Sequence, residues 1–275
     1  MGQISIEVIN YVPKFLNFYQ KAKGKDKNCL WDLWKEHYNF AAVPPGEQGE
    51  KLAREMLMSA WDKYFEVIPA IEKWRPDTEK VKSYLEKVRD LLNCTKDIAL
   101  DLIYFVGAFD DNPILAPNED GRITLCWPIE GNLGDIILVH ELTHIVHTKT
   151  ADLSLNWERP VASIIMAEGL AMQVSKHFFP GKPAETYTEY TIGWLEDCQK
   201  NSESIVKGIL PHIEESSSEK VYQFTMGQGT TGNEREAYFV GWMLIDELLQ
   251  EGMSFEEIAR IKEADFPEVI RRVFE

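Results

Sequence analysis

Apolar residues recur at helical spacing through much of the first third of the chain. In "EKLAREMLMSAWDKYFEVIPAIEKW", Leu52, Met56, Ala60, Tyr64 and Val67 share one side of a helix, and Ala53, Leu57, Trp61, Phe65 and Ile68 widen it. Pro76-Asp77 opens a second helix that runs to Asn93, with Leu85, Val88, Leu91 and Leu92 turned inward. Between Asp97 and Pro128 the pattern changes. "IALDLIYFVGAF" is rich in β-branched and aromatic residues, and "NEDGRITLCWPI" offers Asp120-Gly121 as a hairpin turn. These features predict a small sheet whose last strand runs from about Arg122 to Pro128. "NEDG" lacks the alternating acidic ligands and closing glutamate of a calcium loop, so it reads as a turn.

Helical periodicity returns in "EGNLGDIILVHELTHIVHTKT", where Asn132 is placed to cap the helix and Asp135 follows three residues later. "RPVASIIMAEGLAMQVSKHFFPG" predicts another helix, starting near Pro160 and stopped by Pro180-Gly181. More are predicted over "AETYTEYTIGWLEDCQKN", "NEREAYFVGWMLIDELLQEG" and "SFEEIARI", the last opened by a Ser254/Glu257 capping box. The fold class that follows is α+β and mainly helical. A single domain is expected over residues 1–275, with a helical part over 1–95 and the sheet and remaining helices over 97–275.

Composition narrows the partners. A chain of 275 residues, 44% hydrophobic, can bury a sizeable core. It has no linker-like, repetitive or low-complexity tract, and 27% charged residues with eight tryptophans argue against disorder. A net charge of −16 repels phosphate backbones and anionic lipid, so neither nucleic acid nor membrane is an expected partner. No apolar run approaches the length that spans a bilayer. Cys29, Cys94, Cys126 and Cys198 are scattered, with no CxxC pair, which suits reduced thiols in the cytoplasm. The N-terminus lacks a signal-peptide pattern, and Ile6 stands where a myristoylation motif needs Ser or Thr.

The candidate chemistry lies in "VHELTHIVH", which holds three of the six histidines. His140 and His144 are four residues apart, so their rings share one helix face and can bind one zinc ion. Glu141 is turned by about 100° to the edge of that face. From there its carboxylate can take a proton from a water held by the metal without itself being a ligand. The flanking apolar residues place both histidines on a buried helix, where they need partners. A packed, satisfied histidine pair is the plainer alternative.

A catalytic zinc needs a third protein ligand and an open fourth position. His147 faces the same way but lies about 10.5 Å along the axis from His140, too far for one continuous helix to close on an ion. The longer H-E-x-x-H-x-x-G-x-x-H pattern needs a glycine where His147 stands and a histidine where Thr150 stands. His147 therefore reads as a packed or supporting residue. Glu168 is the better candidate. It sits among Ile164, Ile165, Met166, Ala167, Leu170 and Ala171, and a carboxylate buried there must be answered by a cation. A salt bridge to Arg159 would also answer it. Gly169 lowers helix propensity but lets two helices approach closely.

"HELTH" followed by "EGLA" on the next helix resembles the gluzincin metallopeptidases, which take two histidines from H-E-x-x-H and a glutamate from a downstream helix. More narrowly, "LVHELTHIVH", "AEGLA" and "AYFVGWMLIDELLQEGMSFEEI" resemble a bacterial family of predicted zinc-dependent proteases, often called YjaZ-like. The resemblance implies a zincin-like fold with a small sheet flanking the HExxH helix. It also implies one zinc per chain on His140, His144 and Glu168, with Glu141 as general base and a peptide or protein substrate. One departure stands out: Met172 occupies the place of the aspartate that follows the ligand glutamate in thermolysin-like members. Ligating histidines usually donate their second N–H to a carboxylate or carbonyl, and Asp135 and Asp246 are candidates for that role. Tyr238, whose spacing to Gly241 resembles the late helix of the family, could donate to an oxyanion or be an ordinary core tyrosine. His212 and Arg235 could serve as second donors, or be surface residues. The strand "RITLCWPIE" could bind extended peptide as a sheet edge. A zinc protein that only binds a partner, or a hydrolase of non-peptide amides, remains open.

Overall fold

The computed structural model describes residues 2–118, 120–131, 133–188 and 191–275. The chain forms two compact units that interleave in sequence. One comprises Ile4–Val81 and Ala99–Gly134, the other Met1–Gln3, Lys82–Ile98 and Asp135–Glu275. The architecture is α+β and mainly helical, as the periodicity predicts.

The first unit begins with β1 (Ile4–Asn10), followed by α1 (Val12–Ala22), α2 (Leu30–His37) and the long α3 (Glu47–Lys73). β1 corrects the wholly helical reading of the first third. α3 buries Ala53, Leu57, Ala60, Tyr64 and Ile71, whereas Leu52 and Phe65 are exposed. The apolar stripe is wider than the surface that covers it, so its flanks face water. Phe15, Phe18, Tyr19, Tyr38, Trp61 and Tyr64 pack as an aromatic cluster beneath these helices. Two of its hydroxyls are answered by backbone: Tyr38 by Val106 and Tyr64 by Gly107.

α4 (Thr78–Leu91) carries the chain towards β2 (Ile98–Phe105), β3 (Ile114–Pro117) and β4 (Ile123–Pro128). The sheet order is β1-β2-β4-β3, with β2 parallel and β3 antiparallel to β4. Asp120-Gly121 does close a hairpin: Asn118 donates its N–H to the Arg122 carbonyl, and Gly121 adopts a left-handed φ of 74°. Buried Asp101 in β2 is neutralised by Arg122 at 2.7 Å and accepts from Asn118. One expectation fails here. β4, in the "RITLCWPIE" stretch, pairs with β2 along its length and with β3 over Ile123–Cys126, so over those residues it has no free edge to offer a peptide. A strand made of residues that also pair well in a sheet interior gives no sign in its sequence of which position it will take.

The second unit is helical. α5 (Asp135–Ala151) and α6 (Val161–Phe178) form a hairpin; α7 (Glu185–Thr188), α8 (Trp194–Lys200), α9 (Ser202–Ile209), α10 (Ser218–Thr225), α11 (Glu236–Gln250), α12 (Phe255–Ala259) and α13 (Phe266–Phe274) follow. The proposed Asn132 cap lies outside the described residues. The single helix predicted over "AETYTEYTIGWLEDCQKN" is instead two, because Gly193 takes a left-handed φ of 84° before α8. The Ser254/Glu257 capping box is present. α6 is buried at every residue from Val161 to Ser175. α11 crosses it where Gly169 faces Gly241: a methyl built on Gly169 would lie 2.2 Å from the Gly241 carbonyl oxygen. Among the described residues no helix is long and apolar enough to cross a membrane.

Candidate metal centre

α5 exists because Leu138, Val139, Leu142, Ile145 and Val146 are buried along it. That burial holds His140 and His144 on adjacent turns facing α6. Their Nε2 atoms are 3.0 Å apart. Glu168, in the middle of α6, brings Oε2 to 3.2 Å from His140 Nε2 and 3.4 Å from His144 Nε2. No ion pair joins Glu168 to Arg159, so the salt-bridge alternative is set aside.

These three separations can be tested against an ion. Two donors each about 2.05 Å from a tetrahedral zinc lie about 3.3 Å apart. Edges of 3.0, 3.2 and 3.4 Å match one face of such a tetrahedron. Three acceptor atoms that face each other otherwise need protons between them, and burial opposes the charge those protons bring. The chemistry is consistent with this tension. Burial raises the proton affinity of Glu168, but the two histidines hold its carboxyl well below the usual range, so it is ionised. Burial disfavours a charged His144, yet Glu168 and then Glu141 draw its pKa up. A cation would replace those protons, and the residues fit one. Both Nε2 atoms are turned inward, towards Glu168 Oε2.

Glu141 stands beside this group without belonging to it. Burial raises its pKa, His140 and His144 oppose the rise, and Glu168 adds to it. No donor among the described residues hydrogen-bonds its carboxylate, which leaves the group available to accept a proton.

Tyr238 sits in the first turn of α11 beneath the Arg235 guanidinium, whose carbon is 4.1 Å from the ring centroid. Burial pushes its pKa up, Glu168 and Glu141 add to this, and Arg235 and Arg159 oppose it. The phenol thus stays protonated and lies within the electrostatic reach of both carboxylates. His212 is engaged elsewhere, with Nδ1 2.6 Å from Glu215. Asp135 accepts from the Tyr84 hydroxyl, and Asp246 from Gln173, Lys176 and Gln250.

His147 is fully buried and outside the ligand group. Neither ring nitrogen has a hydrogen-bond partner. Burial, with His144 adding to it, pushes its pKa down to about 3. The unfolded chain takes up this proton near pH 6.5 and the folded chain does not, so stability is full above that pH and falls below it. The loss is about 1.4 kcal/mol per pH unit, or about 2 kcal/mol by pH 5. In urea unfolding of the metal-free protein at pH 7.5 and 5.0, His147→Leu should remove about that much of the acid loss. An equal loss in both proteins would show that His147 is not held neutral.

Compared with known proteins, the chain matches no family model, no curated protein and no solved structure.

Proposed function

We propose that the chain is a zinc-dependent metallopeptidase of the gluzincin type, with a zincin-like fold, resembling the YjaZ-like family. The observation that carries this reading is the convergence of His140, His144 and Glu168 at tetrahedral edge distances, with Glu141 beside them. These three residues would hold one zinc ion. Zinc bound there supplies a Lewis acid and lets water ionise near neutral pH. Glu141 accepts the proton of the attacking water and returns it to the departing amine. Tyr238 donates its phenolic hydrogen bond to the oxyanion that develops on the substrate carbonyl. The substrate is a peptide or protein. The acidic surface supports no role on nucleic acid or membrane, and four free cysteines support a cytoplasmic setting.

Elemental mass spectrometry of the untagged protein tests the site directly. About one zinc per chain is expected, together with turnover of casein or a peptide library. Glu168→Ala should lower zinc affinity by more than about 100-fold, since even residues behind the ligands are worth about 10- to 100-fold. His147→Ala should change it far less. A protein that takes up no zinc overturns the reading, and the reverse ranking transfers the third ligand to His147.

A further inference from the structure

β1 stands at the end of the sheet, with β2 as its one neighbour. Two backbone bonds fix how it lies there. Ile98 donates its N–H to the Gln3 carbonyl, and Tyr11 donates to the Tyr104 carbonyl. In a parallel ladder a residue accepts from the residue after its partner and donates to the residue before it. Both bonds therefore give one register, Gln3 beside Asp97 and Tyr11 beside Phe105, so β1 runs parallel to β2 with no bulge between. Odd-numbered residues turn their N–H and C=O towards β2. Ile4, Ile6 and Val8 turn theirs the other way, and among the described residues these backbone groups have no partner.

An open row of this kind is a template for another strand, and proteins usually block it with Lys, Pro, a bulge or a very short strand. The other end of the sheet is blunted in that way: β3 is four residues long, preceded by Pro113 and closed by Pro117. β1 is seven residues long and contains neither Lys nor Pro, and its side chains are exposed or half-buried throughout. Its one charge, Glu7, has the Arg122 guanidinium at 3.9 Å.

We propose that β1 pairs with β1 of a second copy of this chain, antiparallel about a two-fold axis, joining two four-stranded sheets into one. The proposal is independent of the metal centre. What selects this occupant is that the strand complements itself. With Ile6 opposite its own copy, Ile4 meets the second copy's Val8, and all the open N–H and C=O groups of both chains bond across the axis. Ile4, Ile6 and Val8 then form an unbroken row of β-branched pairs on one face. On the other face each Glu7 stands opposite a Ser5, whose hydroxyl donates to the carboxylate. Moving the register by one pair in one direction sets Glu7 against Glu7, a like-charge pair that opposes it. Moving it the other way sets Val8 against Gly2, which offers no side chain to pack. One patch meeting itself is what a closed two-fold interface requires. The net charge of −16 opposes association, but at physiological salt charges more than about 8 Å apart are largely screened, and Glu7 is offset by Arg122.

Sedimentation velocity of the full chain at about 100 μM, in physiological salt, should show a species of twice the chain mass of 31.7 kDa. Ile6→Pro removes an outward N–H and leaves the ladder to β2 its bonds, because an edge strand accepts proline where the N–H faces solvent. It should weaken the dimer at least about tenfold, and Val8→Lys, which places a charge on the edge, should do the same. Cross-linking then reads the register in a Cys29→Ser background, since Cys29 is exposed. Under oxidation by copper phenanthroline, Ile6→Cys should join to its own copy, whose Cα lies about 5.5 Å away across the axis. Val8→Cys should not, because the two copies of that position lie about 14 Å apart. A chain that sediments as a monomer at this concentration overturns the proposal. So does a dimer that keeps its affinity in both Ile6→Pro and Val8→Lys, and so does one that cross-links through Val8→Cys but not through Ile6→Cys. If either edge variant fails to fold by circular dichroism, the cysteine pair decides.

Discussion

Glu141→Gln should leave zinc in place and remove turnover. Glutamine keeps the shape of the side chain and an oxygen acceptor, but it cannot take a proton. A positioned general base contributes about 10²- to 10⁴-fold, so kcat should fall by that factor, or about 3–5 kcal/mol of barrier. The metal should be unaffected because Glu141 lies outside the group of three ligand atoms, all within 4.8 Å of one another. Burial also prepares Glu141 for the task by raising its pKa, against the opposing pull of His140 and His144. A carboxylate of ordinary acidity would take a proton less readily from water. The check is paired: zinc per chain by elemental mass spectrometry, and initial rates on casein or on a peptide from the library screen. A variant that keeps its zinc and more than a tenth of its turnover removes Glu141 from the mechanism. A variant that loses both implicates Glu141 in holding the metal, contrary to its position.

The parts of this site that were readable in the sequence share one property: each is decided within a helical turn or by a local conflict. His140 and His144 meet because residues four apart on a helix must. Glu168 stood out because a carboxylate in the middle of an apolar run has to be neutralised. Helix rise and the missing glycine of the longer motif both argue against His147 as a ligand, and it is buried apart from the group of three that could hold an ion. What the sequence left unread depends on distant partners. β1 is a seven-residue strand with exposed Glu7 and Val8, and it becomes a strand by joining a sheet whose next member, β2, begins only at Ile98. β4 carries no sequence sign of the partner that covers one of its edges, β3 over Ile123–Cys126. The helix drawn through Gly193 assumed a conformation that glycine did not adopt.

Gly169 is the case where a local cost is explained by a distant contact. A glycine inside a helix costs about 1 kcal/mol relative to alanine, so on propensity alone Gly169→Ala should stabilise α6. The structure reverses that sign. The added methyl would lie 2.2 Å from the Gly241 carbonyl oxygen and 2.8 Å from Ile245. A methyl on Gly241 would meet the Ile165 carbonyl oxygen at 2.3 Å in the same way. The obstacle is backbone, which cannot rotate aside, so α6 and α11 must separate. α6 is buried all round, so the separation opens gaps along both helices. We expect a net loss of about 2 kcal/mol or more, a lowering of Tm by about 4–8 °C for a protein of this size. Gly134→Ala is the control, since nothing among the described residues lies within 4 Å of a methyl there. It should stay within about 0.5 kcal/mol of the parent. The displacement should also reach the metal, because Glu168 is the residue before Gly169 and Tyr238 lies one turn before Gly241. Gly169→Ala should therefore lower both thermal stability and zinc affinity in the same protein. Glu168→Ala should lower zinc affinity by removing a ligand atom, and should lower the metal-free Tm as well, because the two buried histidines lose the carboxylate that pairs with them. If Gly169→Ala melts within 1 °C of the parent, the two helices do not cross as closely as the glycines imply, and Glu168 owes its position to something other than that crossing.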